Sequence, residues 1–408
     1  MKLWQQVIIG LILGIIAGLT LGEKAASLKV FGTIFISLIK MVIVPLIFFA
    51  LLSGITSMSG EGNFTRVGVK GFSSYILTAV FAVIIGLSAG TIFKPGIGVD
   101  LSSILQTSIQ PNAIANKTPP SIADFLIGLI PTNPIGSMAN DNFLQIIIFS
   151  IFTGIIINSI GEKGKILKEV ISSSSQVFFR MIEVIIKLAP LGVFGFIAWV
   201  IGTQGMDILK ALGKLIVTVL SACAFQYVLF GFMILIFARI SPFPFYKKIL
   251  LTQSLAFATS SSKATLSTAI VQLQERMGVS KANSNFLLPL GVCINMDGTA
   301  IYLGICALFF AQAYGIDLTY QNYLMLVLTC TLGSIGAAGI PSGSIIFMSM
   351  VLTSVNLPIE GIGIILGIDR ILDMVRTTIN ITGDSAITLI VDKTEGGLNE
   401  KVYYSKTK

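Results

Sequence analysis

The stretch from Asp369 to Asp384, DRILDMVRTTINITGD, places three carboxylates and two guanidinium groups inside a run, Ile362 to Val391, that is otherwise apolar. At 3.6 residues per helical turn, Asp373, Thr377, Asn380 and Asp384 follow one another at spacings of four, three and four, with Arg376 at the edge of their stripe. One helix face therefore carries both charge signs, an amide and a hydroxyl. A charged side chain in a membrane helix costs about 2.5–3.5 kcal/mol even on the lenient insertion scale, so such a face must look onto a partner or a wet cavity. A packed ion-pair network would satisfy the charges alone. The extra oxygens of Thr377, Asn380 and Asp384 point instead to a site for a polar ligand and a cation.

A membrane setting follows from composition. The 408 residues are 54% hydrophobic and 11% charged, with apolar runs long enough to cross the hydrocarbon core. Residues 1–22 resemble a signal peptide but lack a small-residue cleavage site and precede further spans, so they read as a first transmembrane helix. The net charge of +8 comes with no basic run or aromatic-interleaved patch, which argues against nucleic acid as a partner. Its placement reports topology instead. Lys163, Lys165 and Lys168, then Arg239, Lys247 and Lys248, then the segment from Lys393 to Lys408 mark cytoplasmic sides, whereas the links around Asp317 and Glu360 carry no Lys or Arg. Cys223, Cys293, Cys306 and Cys330 have no metal-type spacing and read as core residues. The absence of histidine removes the commonest proton shuttle and metal ligand.

In chain order, helices are expected over about 4–21, 30–57, 72–93, 172–202 and 208–238, with a fourth region broken by prolines in PTNPIGSMANDNFLQIIIF and an exposed loop over 94–120. Tyr75 and Thr78 share a face of the third helix. The second half differs. A long apolar region, 245–276, is interrupted by ATSSSKAT over 258–265, leaving arms too short to span the bilayer, as in a re-entrant hairpin. The same design returns over 323–355, broken by GSIGAAGIPSGS, where Pro341 forbids a continuous helix. Paired interruptions of this kind are the best sequence pointer to a transporter site, because irregular backbone in a membrane is tolerated where it lines a cavity. A long helix bearing a polar cluster follows each hairpin. The first, 284–313, is interrupted by Asn295-Met296-Asp297-Gly298-Thr299, which with Asp384 and Asn380 supplies hard oxygen ligands suited to Na⁺.

These residues resemble the dicarboxylate/amino acid:cation symporter family, which includes the glutamate transporters. The likeness runs through FISLIKMVIVPLIF, NPIGSMANDNFLQII, LAPLGVF, the serine-rich tip, NMDGT, GAAGIP and LDMVRTTINITGD, nearly the whole chain. The resemblance implies an all-α polytopic membrane protein with eight transmembrane helices, two re-entrant hairpins and inverted repeats. It implies a homotrimer in which a scaffold (1–71 and 94–205) holds a transport domain (72–93 and 206–392) that moves like an elevator, with a cytoplasmic tail from 393 to 408. By the same resemblance, Arg376 takes the substrate's side-chain carboxylate, as a planar guanidinium suits, and Asp373 its ammonium. Asn380, Thr377, Ser261, Ser262, Thr299 and hairpin backbone at Ala338 and Gly339 complete the substrate set. One sodium is implied at Asp384, Asn380, Asn295 and Gly291; another at Asp297, Thr78, Asn295 and Tyr75; a third near Ser334, Ile335 and Ala337 with Met296. Gly336, Gly339 and Pro341 belong to the gating hairpin.

Some positions depart from the family. Ser260 stands at the tip position that is arginine in prokaryotic members, Lys263 replaces the third serine, and Ala79 replaces a serine of an archaeal sodium site. Arg370 either supplies the displaced charge or pairs with a neighbouring acid. The expected function is sodium-coupled uptake of L-glutamate or L-aspartate in a prokaryotic plasma membrane, with potassium counter-transport open. Proton coupling or a C4-dicarboxylate substrate is the alternative. A passive anion channel would also fit a charged pathway, and a Ser-Lys intramembrane hydrolase at Lys263 is a remote option that leaves NMDGT and the second hairpin unexplained.

Overall fold

The computed structural model describes residues 3–56, 64–99, 101, 127–128, 130–140, 142–205, 207–336 and 343–405. Every regular element among them is helical. α1 (Leu3–Leu21), α2 (Lys29–Thr56) and α3 (Phe64–Phe93) come first, then short α4 (Pro134–Ala139), α5 (Phe143–Ser159), α6 (Lys165–Ile186), α7 (Ala189–Gln204) and α8 (Asp207–Met233). The second half comprises α9 (Phe243–Thr259), α10 (Ser262–Val271), α11 (Lys281–Ile294), α12 (Asp297–Ala313), α13 (Tyr320–Gly336), α14 (Gly343–Ser354), α15 (Ile362–Thr394) and the terminal turn α16 (Glu400–Tyr404). Among the described residues, the stretches Gln5–Val42, Arg66–Phe93, Ile208–Ala238 and Lys281–Ala313 are long and apolar enough to cross a membrane.

α1 packs along α7 because Gly10, Gly14 and Gly18, four residues apart, let the backbones approach. A Cβ at Gly14 would lie 2.9 Å from the Phe194 carbonyl, and one at Gly18 would lie 2.7 Å from the Ile201 side chain. α2 lies against α5, α6 and α7. In the second half α15 is the hub, touching α8, α9, α11 and α12, while α3 runs beside α12. Contacts also join these groups: α15 touches α7 and α1, Lys40 of α2 pairs with Glu360 at 3.6 Å, and Lys263 sits over the Phe179 ring of α6 at 4.8 Å.

Three boundaries differ from expectation. The third helix begins at Phe64 instead of 72, because Arg66 and Lys70, which read as a charged link, both pair with Glu395 beyond the end of α15. The single helix expected over 172–202 is two, α6 and α7, separated at Lys187 and Leu188. Pro190 lies in the first turn of α7, where its missing N–H costs nothing. The expected eight-residue break at the first hairpin narrows to Ser260 and Ser261. Ser260 takes a left-handed conformation (φ 51°, ψ 36°) that ends α9, and Ser261 is extended and caps α10 by accepting from the Ala264 amide at 3.3 Å.

Candidate transport site

The arginine of the charged stripe is among the largest fully buried side chains. Arg376 Nη2 lies within hydrogen-bond distance of three acceptors that share its two N–H donors, Ser344 Oγ at 2.8 Å, Asp369 Oδ1 at 2.9 Å and Asp373 Oδ1 at 3.0 Å, and its guanidinium carbon lies 3.9 Å from the Tyr302 ring centroid. Three helices thus converge on one group: α15 supplies both acids, α14 the hydroxyl and α12 the aromatic face. The remaining guanidinium nitrogens, Nε and Nη1, have no partner among the described residues. Arg370 reaches the other oxygen of Asp373 at 3.5 Å, so both carboxylate oxygens of Asp373 face a guanidinium.

Two turns along α15 lies an oxygen-rich cluster. Asn295 Nδ2 donates to Asp384 Oδ1 at 3.0 Å, and Thr78 Oγ1 contacts Asn295 Oδ1 and the Tyr75 carbonyl, each at 3.1 Å. The chain is extended at Asn295 (φ −106°, ψ 97°), which separates α11 from α12 and aims these groups inward. A Cβ at Gly291 would lie 2.8 Å from Asp384 Oδ1 and 2.9 Å from the Tyr75 hydroxyl, so glycine there keeps the cluster open. Asp297 and Asp384 are buried, and Asp297 Oδ1 and Asp384 Oδ2 have no partner among the described residues. Buried carboxylates without a cation are costly, and such oxygens suit a hard cation. Asn380 sits between the two centres: its Oδ1 accepts from the Gly298 amide at 2.8 Å and its Nδ2 reaches Met296 Sδ at 3.3 Å.

The structure therefore gathers Arg376, Asp373, Asn380, Asp384, Asn295, Thr78, Tyr75, Gly291 and Asp297 into a continuous polar seam. Thr299 and Thr377 are buried nearby on α12 and α15. Ser261 is a helix cap, and the Ser262 hydroxyl is buried without a partner among the described residues. Of the third implied ion group, backbone carbonyls around Ser334, Ile335 and Ala337 with Met296, Ser334 and Ile335 lie in the last turn of α13, and the Met296 sulfur accepts from Asn380 Nδ2 at 3.3 Å. Ala337, Ala338, Gly339 and Pro341 lie outside the described residues, and Gly336 ends α13. Tyr302, Ser344 and Gln226 were not singled out from the sequence. Gln226, a lone amide in an apolar run, offered the one available signal.

A model of the sodium:dicarboxylate symporter family matches residues 3–394. The chain belongs to that family. The proton/sodium-glutamate symport protein of Bacillus subtilis (strain 168) is 36% identical over 403 residues, covering 97% of this chain and 93% of that protein. The same-named protein of Geobacillus stearothermophilus is 34% identical over 405 residues, 97% of this chain and 95% of its own length. The C4-dicarboxylate transport protein of Bacillus subtilis (strain 168) is 33% identical over 413 residues, 98% and 96% of the two chains. Membership in this family identifies the chain as a transporter of the symport class, in keeping with its apolar helices.

Proposed function

We propose that the chain couples sodium entry to uptake of L-glutamate or L-aspartate. The observation that carries this is Arg376, a buried guanidinium held between Asp369 and Asp373 with two nitrogens unpartnered among the described residues. An acidic substrate side chain supplies the anion that such a group takes, whereas a neutral one leaves it unpaired. Asp373 receives the ammonium. The cluster around Asp297 and Asp384 takes the sodium ions, and the oxygen donors present support a hard cation. Family membership and the glutamate-transporting relatives agree with this substrate class.

The same proposal includes eight transmembrane helices with two re-entrant hairpins, α9–α10 and α13–α14. Their arms favour this: α9 has 17 residues and α14 has 12, short of the roughly 20 a crossing needs. It includes a homotrimer whose scaffold, 1–71 and 94–205, stays fixed while 72–93 and 206–392 carry the substrate as an elevator, with the C-terminal end in the bacterial cytoplasm. The close packing of α1 and α2 on α5 to α7, and of α15 on α8, α9, α11 and α12, supports two such bodies. A second reading, C4-dicarboxylate transport, draws support from Arg370, which pairs with Asp373 and so offers an alternative to a substrate amine. Some relatives bear that name.

The test is uptake of labelled L-glutamate, L-aspartate and succinate into proteoliposomes under an inward sodium gradient, with choline and proton-gradient controls and with potassium or choline inside. Accumulation of the amino acids only with sodium is expected. Equal uptake driven by protons alone overturns sodium coupling, and preference for succinate overturns the amino acid assignment. The internal-potassium arm decides counter-transport.

A further inference from the structure

Gln226 lies on α8 and is fully buried. Its Nε2 donates to Asp297 Oδ2 at 3.2 Å, while its own Oε1 and Asp297 Oδ1 have no partner among the described residues. A buried carbonyl left without a partner is unfavourable, so this amide sits in a half-satisfied arrangement. Its surroundings are rich in oxygen. Thr78 Oγ1 and Asn295 Oδ1 are 3.1 Å apart, and the Tyr75 carbonyl is 3.1 Å from the same hydroxyl. Ala79, the next residue on α3, is buried and brings no oxygen of its own. A Cβ at Gly383 would lie 2.8 Å from the Phe230 ring and 3.2 Å from both Asp297 Oδ2 and Asn295 Nδ2, so glycine there lets these groups pack closely on α15.

The terminal torsion of glutamine is broad and roughly two-fold, so a half-turn exchanges its nitrogen for its oxygen at little cost. In the structure the N–H donor faces the carboxylate. A cation at the carboxylate reverses the demand, because it repels the N–H and attracts the carbonyl. We infer that Gln226 is a direct oxygen ligand of the cation held at Asp297, presenting Oε1 when the ion enters. The inference rests on the sodium reading above. It adds α8 to the elements that close the ion site, so that α3, α8, the α11–α12 junction and α15 all meet at the ion.

The test is the sodium dependence of melting temperature in purified full-length protein without substrate, ionic strength being held with choline. Gln226→Glu keeps an oxygen and, since a carboxyl beside Asp297 favours its neutral form, replaces the N–H by an O–H donor, whereas Gln226→Met keeps the bulk and loses both. Gln226→Ala is measured alongside, so that the oxygen effect does not depend on one variant folding. Half-saturating sodium is expected to rise about tenfold or more in Gln226→Met and Gln226→Ala, the loss of one charge-assisted contact, and to stay close to wild type in Gln226→Glu. A Gln226→Glu protein impaired as much as Gln226→Met shows that an oxygen at this position does not help the ion and overturns the inference. So does wild-type sodium dependence in Gln226→Met. A wild-type protein that melts identically in sodium and choline overturns the sodium reading itself, and the inference with it.

Discussion

Arg376→Cys removes the group on which both the packing and the proposed substrate contact converge. In the structure one guanidinium nitrogen holds Ser344, Asp369 and Asp373 at 2.8, 2.9 and 3.0 Å, with the Tyr302 ring behind it at 3.9 Å. Deleting one member of a buried ion pair costs about 3–5 kcal/mol, because the remaining carboxylates lose their partner. A lower melting temperature is therefore expected and is checked first. The transport effect is separate. Two charge-assisted hydrogen bonds to a substrate carboxylate contribute about 1.5–3 kcal/mol each, and each 1.4 kcal/mol is about tenfold in affinity. The apparent affinity for glutamate should fall by about two to four orders of magnitude, while a neutral amino acid, which never used the guanidinium, is admitted. The assay is proteoliposome uptake of labelled L-glutamate and L-serine at saturating sodium. Arg376→Lys serves as the control that keeps charge but loses the planar fork; it should recover stability better than glutamate affinity. If Arg376→Cys carries glutamate with an unchanged KM, the substrate carboxylate is held elsewhere and the assignment falls.

Gly291→Ala would place a methyl group 2.8 Å from Asp384 Oδ1 and 2.9 Å from the Tyr75 hydroxyl, so sodium should bind at least about tenfold more weakly; a sodium titration of melting temperature measures it. Arg370→Gln frees one oxygen of Asp373 for the substrate ammonium, so the ratio of glutamate to succinate uptake should rise; a fall would assign Arg370 to the dicarboxylate. Glu395, outside the spans, accepts from Lys70 at 2.8 Å, which holds its carboxyl below the usual 4.5. A depressed carboxylate stabilises the fold above its unfolded pKa, and that contribution is lost as pH falls through the lower folded value. Melting temperature should thus fall more steeply below about pH 4.5 in wild type than in Glu395→Gln, with a modest difference because the pair is partly solvated.

The charged stripe on α15 was legible in the sequence because each of its members is expensive in an apolar run. Asn295 and Asp297 were legible for the same reason, and Gly298 next to them marked the helix break. The partners of Arg376 were harder to see. Tyr302 lies in an uninterrupted apolar helix and looks like packing until α12 is placed against α15, and Ser344 looks like loop sequence at a hairpin. Gln226 carries no charge, so its burial gives a weaker signal than an aspartate, and its contact spans 71 residues that sequence spacing does not encode. The hairpin tip was overestimated because serine reads as a loop former, while Ser260 and Ser261 act as caps that let helices resume at once.

Arg376, Asn380 and Asp384 follow at four-residue intervals, so the arginine and Asp384, proposed to face the ion, are separated by about 12 Å along the helix axis, at about 1.5 Å per residue. Coulomb attraction over that distance cannot by itself make one ligand wait for the other. Asn380 offers a mechanical link. Its carbonyl oxygen holds the Gly298 amide, one of the first-turn donors of α12 that has no partner within its own helix, and its amide nitrogen holds Met296. Asn295, Met296, Asp297 and Gly298 form one short segment, so moving the Asn380 side chain toward a ligand at Arg376 changes the support of Asp297. Conversely, an ion that fixes Asn295 and Asp297 fixes Gly298 and hence Asn380. On the proposed function both ligands would act on the same few atoms, and binding coupling is reciprocal: whatever factor the ion adds to the affinity for substrate, the substrate adds to the affinity for the ion. The interruption of α11 and α12 at Asn295 is therefore more than space for a cation. On the proposed reading, it also places the ion's ligands and the substrate's neighbour on one short segment, so that ordering either helps to order the other.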